Sequence, residues 1–186
     1  SNSVFLCDSG FIDVILPTNI RFKKKQICIH PVSQGVMGFA LPSIVGAHSV
    51  GKENIISVIG DGSIMMNLQE LQTIKHYKIP AKIFIINNNM YGIIRRRQKE
   101  LFRGRTIGTD NSNGVGNPDF KKISNAFGIK YNLIKTKKNL NNKIKNILKE
   151  KETVICEIKA EENQEYFEIG YTKNINGKIV RRPLED

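Results

Sequence analysis

Tryptophan is absent from the 186 residues, cysteine appears only three times, and acidic residues number 17 against 29 lysines and arginines. Cys7, Cys28 and Cys156 are odd in number, far apart and set among apolar neighbours. That pattern suits free thiols within strands and excludes a disulfide-stapled scaffold or a zinc knuckle, so a reducing cytoplasm is the expected compartment. Long hydrophobic runs are missing as well. The run Ile83 to Ile86 falls far short of the ~20 residues a membrane-crossing helix needs, which excludes a span of that kind. No signal peptide is expected, and an opening of Ser1-Asn2-Ser3 instead of methionine is what a piece of a longer protein would show.

What remains is enough for a core. With 40% hydrophobic residues, residues 1–186 read as one folded domain rather than a disordered chain. The formal charge of +12 raises the alternative of a basic nucleic-acid-binding module, since clustered cations gain affinity by releasing phosphate counterions. The distribution argues otherwise. In the densest stretch, Lys135 to Lys151, lysines alternate with Leu140, Ile144, Ile147 and Leu148 at helical spacing, the mark of a solvated outer helix. No aromatic RNA-binding signature or zinc finger is present, and no nucleic-acid or membrane partner is expected.

Short β-branched runs alternate with helical patterns along the chain. Val4–Cys7, Gln26–His30, Asn54–Ile59, Lys82–Asn87, Tyr131–Ile134 and Thr153–Ile158 predict strands. Phe39–Val50, the stripe Leu68, Leu71 and Ile74, Asp119–Phe127 and Leu140–Lys149 predict helices. This alternation predicts an α/β fold, a doubly wound, mostly parallel sheet with helices on both faces, whose ligands sit beyond the carboxyl ends of the strands. Residues 101–117 lack apolar periodicity and read as an active-site loop or a surface excursion. Residues 161–186 read as an irregular tail.

Two loops follow strands and carry chemistry. Gly60-Asp61-Gly62-Ser63 combines a glycine that lets backbone approach, a hard carboxylate and a helix-starting serine, the needs of a diphosphate site with a divalent cation. Asn87-Asn88-Asn89 follows the next strand. Magnesium takes one or two protein oxygens and shares the rest with phosphate and water, so Asp61 and Asn88 suffice. Their separation, 88 − 61 = 27 residues, fits a turn, a helix and one more strand, which returns both to the same sheet edge. Asn67 and Glu70, three apart, look like a capping pair for the intervening helix around Met66–Tyr77.

Gly-Asp-Gly followed at this interval by Asn-Asn resembles the cofactor motif of the thiamine diphosphate-dependent 2-oxo acid enzymes. The resemblance continues in Gly35-Val36-Met37-Gly38-Phe39-Ala40-Leu41-Pro42, in Asn117-Pro118-Asp119-Phe120 with Ala126-Phe127-Gly128, and in Arg182-Pro183-Leu184-Glu185-Asp186. Together these match the carboxyl-terminal diphosphate-binding domain of acetolactate-synthase-like enzymes. The match implies a thiamine diphosphate-binding fold in which Asp61, Asn88 and the carbonyl of Met90 hold Mg2+. It implies that Gly60, Gly62 and Ser63 meet the diphosphate, with Tyr91 and Gly92 flanking them. The Gly35 carbonyl and Met37 N–H would meet the aminopyrimidine, and the Met37 side chain would wedge beneath the cofactor.

The same resemblance implies that the catalytic glutamate lies on a separate pyrimidine-binding domain, in the same or a second chain of a homodimer or larger assembly. The isolated domain is then expected to be inactive. The whole enzyme would decarboxylate a small 2-oxo acid and ligate the product to a second carbonyl; FAD is left open. Where acetolactate synthases carry a tryptophan, this sequence has Arg97, within Arg95-Arg96-Arg97, which points to a carboxylate or phosphate on the substrate. A sulfopyruvate- or phosphonopyruvate-decarboxylase-type subunit is the alternative enzyme. Asp8-Ser9-Gly10-Phe11 sits where relatives place diphosphate contacts, His30 is read as structural or as facing the cofactor edge, and His48 and His76 are read as structural.

Overall fold

The computed structural model describes residues 3–31, 33–162, 171–175 and 178–182. The apolar runs form six strands: β1 (Ser3–Cys7), β2 (Ile27–Ile29), β3 (Asn54–Gly60), β4 (Ala81–Asn87), β5 (Lys130–Ile134) and β6 (Val154–Lys159). They pair in the order β2-β1-β3-β4-β6-β5, and every pair is parallel. The expected doubly wound sheet is therefore present. From β1 the chain steps outward to β2 and then back across to β3, so the connections part between β1 and β3 and open a crevice at their carboxyl ends.

Strand residues alternate between two cores. On one face Ile55, Ile59, Ile83, Ile85 and Ile155 pack with α2 (Ala40–Ser49), α3 (Glu70–His76) and α5 (Phe120–Ala126). On the other, Phe84, Val154 and Cys156 pack with α6 (Leu140–Leu148) through Ile144 and Ile147. The period of two along each strand sets this division, and each fully buried Ile or Leu stabilises by roughly 1.5–3 kcal/mol.

Two helices arise where the periodicity did not predict them. α1 (Phe11–Asn19) contains Pro17, a residue that argues against a helix interior. It ends two residues later, and the Thr18 hydroxyl and Asn19 amide bond back to the carbonyls of Val14 and Ile15. α4 (Gly92–Leu101) has no buried residue and is mostly polar. Two expectations are corrected. Asn67 does not cap a helix that starts beside it: α3 begins at Glu70 without a side-chain cap, a 3-10 turn occupies Ser63–Met66, and the Asn67 amide donates instead to the Gly38 carbonyl (2.8 Å). The tail is not irregular throughout, because β7 (Tyr171–Ile175) and β8 (Lys178–Arg182) pair as an antiparallel hairpin. Residues 183–186, which contribute to the family resemblance, lie outside the described residues.

Candidate functional site

β3 and β4 run side by side with Gly60 opposite Ile86, and Asp61 N–H donates to the Ile86 carbonyl (3.1 Å). This register sets Asp61 and the Asn87–Met90 turn at one sheet edge. Asp61 is almost wholly buried. Its Oδ1 accepts Gly62 N–H (2.9 Å), and its Oδ2 accepts Asn89 N–H and Asn117 Nδ2 (both 2.7 Å). Burial pushes the Asp61 carboxyl above its ordinary value, against the downward pull of these donors. A carboxylate offers about four lone-pair directions, so three donors leave room for one more partner. Among the described residues, Asn88 Oδ1 accepts one long bond, from Met90 N–H (3.3 Å). Among the described residues no cluster of three His, Cys, Asp or Glu side chains suits a metal. One carboxylate with amide and carbonyl oxygens would be a hard donor set of the kind that fits magnesium.

Gly62 is required by a close approach. A Cβ there would lie 2.0 Å from Tyr91 Cε1, so the Tyr91 ring lies against the turn that would meet a diphosphate. Ser63 is also buried, and it helps to oppose the rise of the Asp8 carboxyl.

Asp8, in the loop expected to meet the diphosphate, ties β1 to a neighbouring segment. It is fully buried at the tip of β1, and its carboxylate accepts Ser9 N–H (2.9 Å), Gly38 N–H (2.9 Å) and Ala40 N–H (2.8 Å). Burial raises its carboxyl too, while these donors oppose the rise. Asp8 thus fixes the segment carrying Gly35 and Met37. Gly35 and Gly38 have φ of +57° and +82°, the left-handed region that glycine enters freely. At Gly38 a Cβ would also meet Met66 Cβ at 2.7 Å.

Sequence reasoning missed a second support. Glu157 on β6 is buried; its Oε1 accepts Asn87 Nδ2 (2.7 Å), Tyr131 OH donates to its Oε2 (2.5 Å), and Lys159 Nζ lies 2.6 Å from Oε1. Burial alone would raise this carboxyl, but Lys159, Tyr131 and Asn87 hold it below the usual range. Asn87 Oδ1 in turn accepts Asn89 N–H (3.1 Å). Tyr131 and Glu157 look like ordinary strand residues in sequence, so no local signal marks them. Asn117 had one, since it opens the Asn117-Pro118-Asp119-Phe120 segment.

Residues 101–117 are anchored at their middle and their end. Tyr91 N–H donates to the Thr109 carbonyl (2.8 Å), Met90 bridges to Asp110, and Asn117 reaches Asp61. Hydrogen bonds led by the Ser112 hydroxyl hold the Asp110 carboxyl below its ordinary value. Of the three arginines on α4, Arg95 turns inward to Asp110 (3.4 Å) and the Met90 sulfur (3.7 Å). Arg97 is 71% exposed and pairs with Glu100 (3.3 Å). Further out, Leu101, Phe102 and Ile107 line a 670 Å3 groove with Arg103 and Arg105, away from the β3 and β4 tips. His30 pairs with Asp13 (2.6 Å), and His76 stacks edge-on against Tyr77.

Residues 8–158 match the family described as thiamine pyrophosphate enzyme, C-terminal TPP binding domain. Among curated relatives, an acetolactate synthase large subunit of Porphyra purpurea is 32% identical over 180 residues, covering 96% of this chain and 30% of the relative. The acetolactate synthase isozyme 2 large subunit of Escherichia coli K12 is 35% identical over 131 residues, covering 69% of this chain and 23% of the relative. The chain therefore spans less than a third of the length of these relatives. Among the described residues no helix is long and apolar enough to cross a membrane.

Proposed function

The chain belongs to the thiamine pyrophosphate enzymes as a C-terminal TPP-binding domain of the acetolactate-synthase-like kind, and from that premise we propose that it holds thiamine diphosphate with Mg2+ as half of an active site that decarboxylates a 2-oxo acid. One observation carries the metal half of the reading: the buried Asp61 carboxylate has a lone-pair direction to spare and is bonded to the turn that carries Asn88, through Asn89 N–H. Asp61, Asn88 and the Met90 carbonyl would hold Mg2+; Gly60, Gly62 and Ser63 would hold the diphosphate, flanked by Tyr91 and Gly92. When bound, the cofactor supplies the electron sink that lets a 2-oxo acid lose carbon dioxide.

This chain's residues bind and orient. Asp61 would neutralise part of the cation's charge from its buried position, and Glu157 and Asn117 keep the surrounding loops in register. Asp8 holds the segment from which Gly35 and Met37 would meet the aminopyrimidine. The proton relay belongs to a pyrimidine-binding domain of the same or a second chain in a homodimer or larger assembly, so the isolated domain should not turn over pyruvate. Arg97, exposed on the helix that leaves the metal loop, is proposed to bind a carboxylate or phosphate of the substrate; an unchanged kcat/KM in Arg97→Ala would overturn that role.

Calorimetric titration of the full-length protein with thiamine diphosphate and Mg2+ tests the site. Asp61→Ala is expected to weaken metal-dependent binding at least about 100-fold. Undiminished affinity would overturn the assignment, and a screen of 2-oxo acids would then identify the donor for the intact protein.

A further inference from the structure

Cys7 and Cys28 take no part in the proposed cofactor site, yet they form a polar cluster of their own. Phe5 pairs with Cys28 and Leu6 with Ile29, so Cys7, two residues beyond Phe5, shares a sheet face with Cys28. Their sulfurs lie 3.5 Å apart. Cys7 is wholly buried, whereas Cys28 is half-buried on β2, an edge strand of three residues bonded only to β1. His30, two residues past Cys28 and on the same face, is held from α1 by Asp13 at 2.6 Å.

These neighbours divide the pair. The hydrogen bond shared with Cys7 holds the Cys28 thiol below its ordinary value, with burial and Asp13 opposing and His30 assisting. The same contact and burial push Cys7 up. Cys156 is a contrast within the same fold: it is buried in β6, its thiol is pushed up to about 11 by burial and by Glu157, and among the described residues it has no sulfur contact like that of Cys7 with Cys28.

We propose that Cys7 and Cys28 are a peroxide-oxidisable dithiol, with Cys28 the attacking sulfur and Cys7 the resolving one. The Cys28 thiolate attacks one oxygen of hydrogen peroxide. The O–O bond breaks, the leaving hydroxide takes up the proton the thiol released, and Cys28 becomes a sulfenic acid. Cys7 sulfur then attacks Cys28 sulfur, and the sulfenic hydroxide leaves as water with the Cys7 proton. Two thiols are oxidised to one disulfide, and peroxide is reduced to two waters. Closing the sulfurs from 3.5 Å to about 2.05 Å requires β2 to shift, and an edge strand this short resists little. Nothing in this step depends on thiamine diphosphate.

The test is peptide mapping of the reduced full-length protein after one equivalent of hydrogen peroxide. A Cys7–Cys28 linked pair about 2 Da lighter than the two thiols, released by dithiothreitol, is expected, with Cys156 still open to alkylation after unfolding. In Cys7→Ser, a conservative change, dimedone should trap Cys28 at least about tenfold faster than Cys156. Both thiols remaining alkylatable, over-oxidation of Cys28 without a disulfide, or Cys156 reacting as fast as Cys28 would each overturn the proposal.

Discussion

The strand tips and helix α4 are neighbours wired in opposite ways. At the tips the bonds reach far along the chain: Asp8 to Ala40, Asp61 to Asn117, Glu157 to Asn87. On the outer face of α4 they stay local, with Arg96 and Arg97 both meeting Glu100 and Gln98 bonding Ile107, while Arg95 alone of the three arginines turns inward to Asp110. Buried polar groups are costly to leave unmatched, so the distant bonds hold one geometry against the freedom of the loops. Exposed pairs on one helix are worth only about 0.3–0.5 kcal/mol. The tips are therefore a rigid cradle, while the outer face of α4 carries residues that can change at little cost to folding, which is where a substrate-reading residue is best placed.

That contrast can be broken by substitution, and the largest effect is expected at Asp8. Asp8→Ala strands the Gly38 and Ala40 N–H groups in the core and should cost about 4 kcal/mol in urea unfolding; a loss under 1 kcal/mol would mean that the segment holds itself. Next, Gly62→Ala drives a methyl group into the Tyr91 ring and should cost about 2–3 kcal/mol. The double variant Gly62→Ala/Tyr91→Ala should recover most of that loss, and simple additivity would show that the two residues are not coupled.

Glu157→Gln sharpens the comparison through pH. Because the Glu157 carboxyl is held below its ordinary 4.5, the folded chain gives up this proton more readily than the unfolded one. Its stabilisation is complete above pH 4.5 and disappears as acid takes the pH through the lower folded value. The gap between wild type and Glu157→Gln, about 1–2 kcal/mol near neutrality, should therefore shrink on acidification; a gap that widened would contradict the lowered carboxyl. The smallest effect belongs to Arg97→Ala, within about 0.5 kcal/mol of wild type, and a larger loss would remove the distinction between the two regions.

The two loops proposed to hold the cofactor were legible as neighbours on one sheet edge because each follows a strand whose alternation is local, and their separation matched a strand-helix-strand unit. The supports were not. Glu157 lies 70 residues from Asn87 and Asn117 lies 56 from Asp61, and no periodicity in a single segment encodes a partner at that distance. α1 was hidden by Pro17, and α4 by its arginines, which leave it without an apolar stripe. Asn67 was misjudged because an amide at capping spacing is equally able to bond a distant carbonyl.

Residue order alone determined the alternation of strands and helices, the parallel sheet and the acidic and amide residues at two strand ends, because side-chain periods of two and 3.6 are written in neighbouring positions. Only the tertiary structure decided that Asp8 would become an anchor, that Glu157 would steady the asparagine turn and that Cys7 would meet Cys28. Those outcomes depend on which strands lie side by side and in what register, and that is settled by burying all the apolar faces at once.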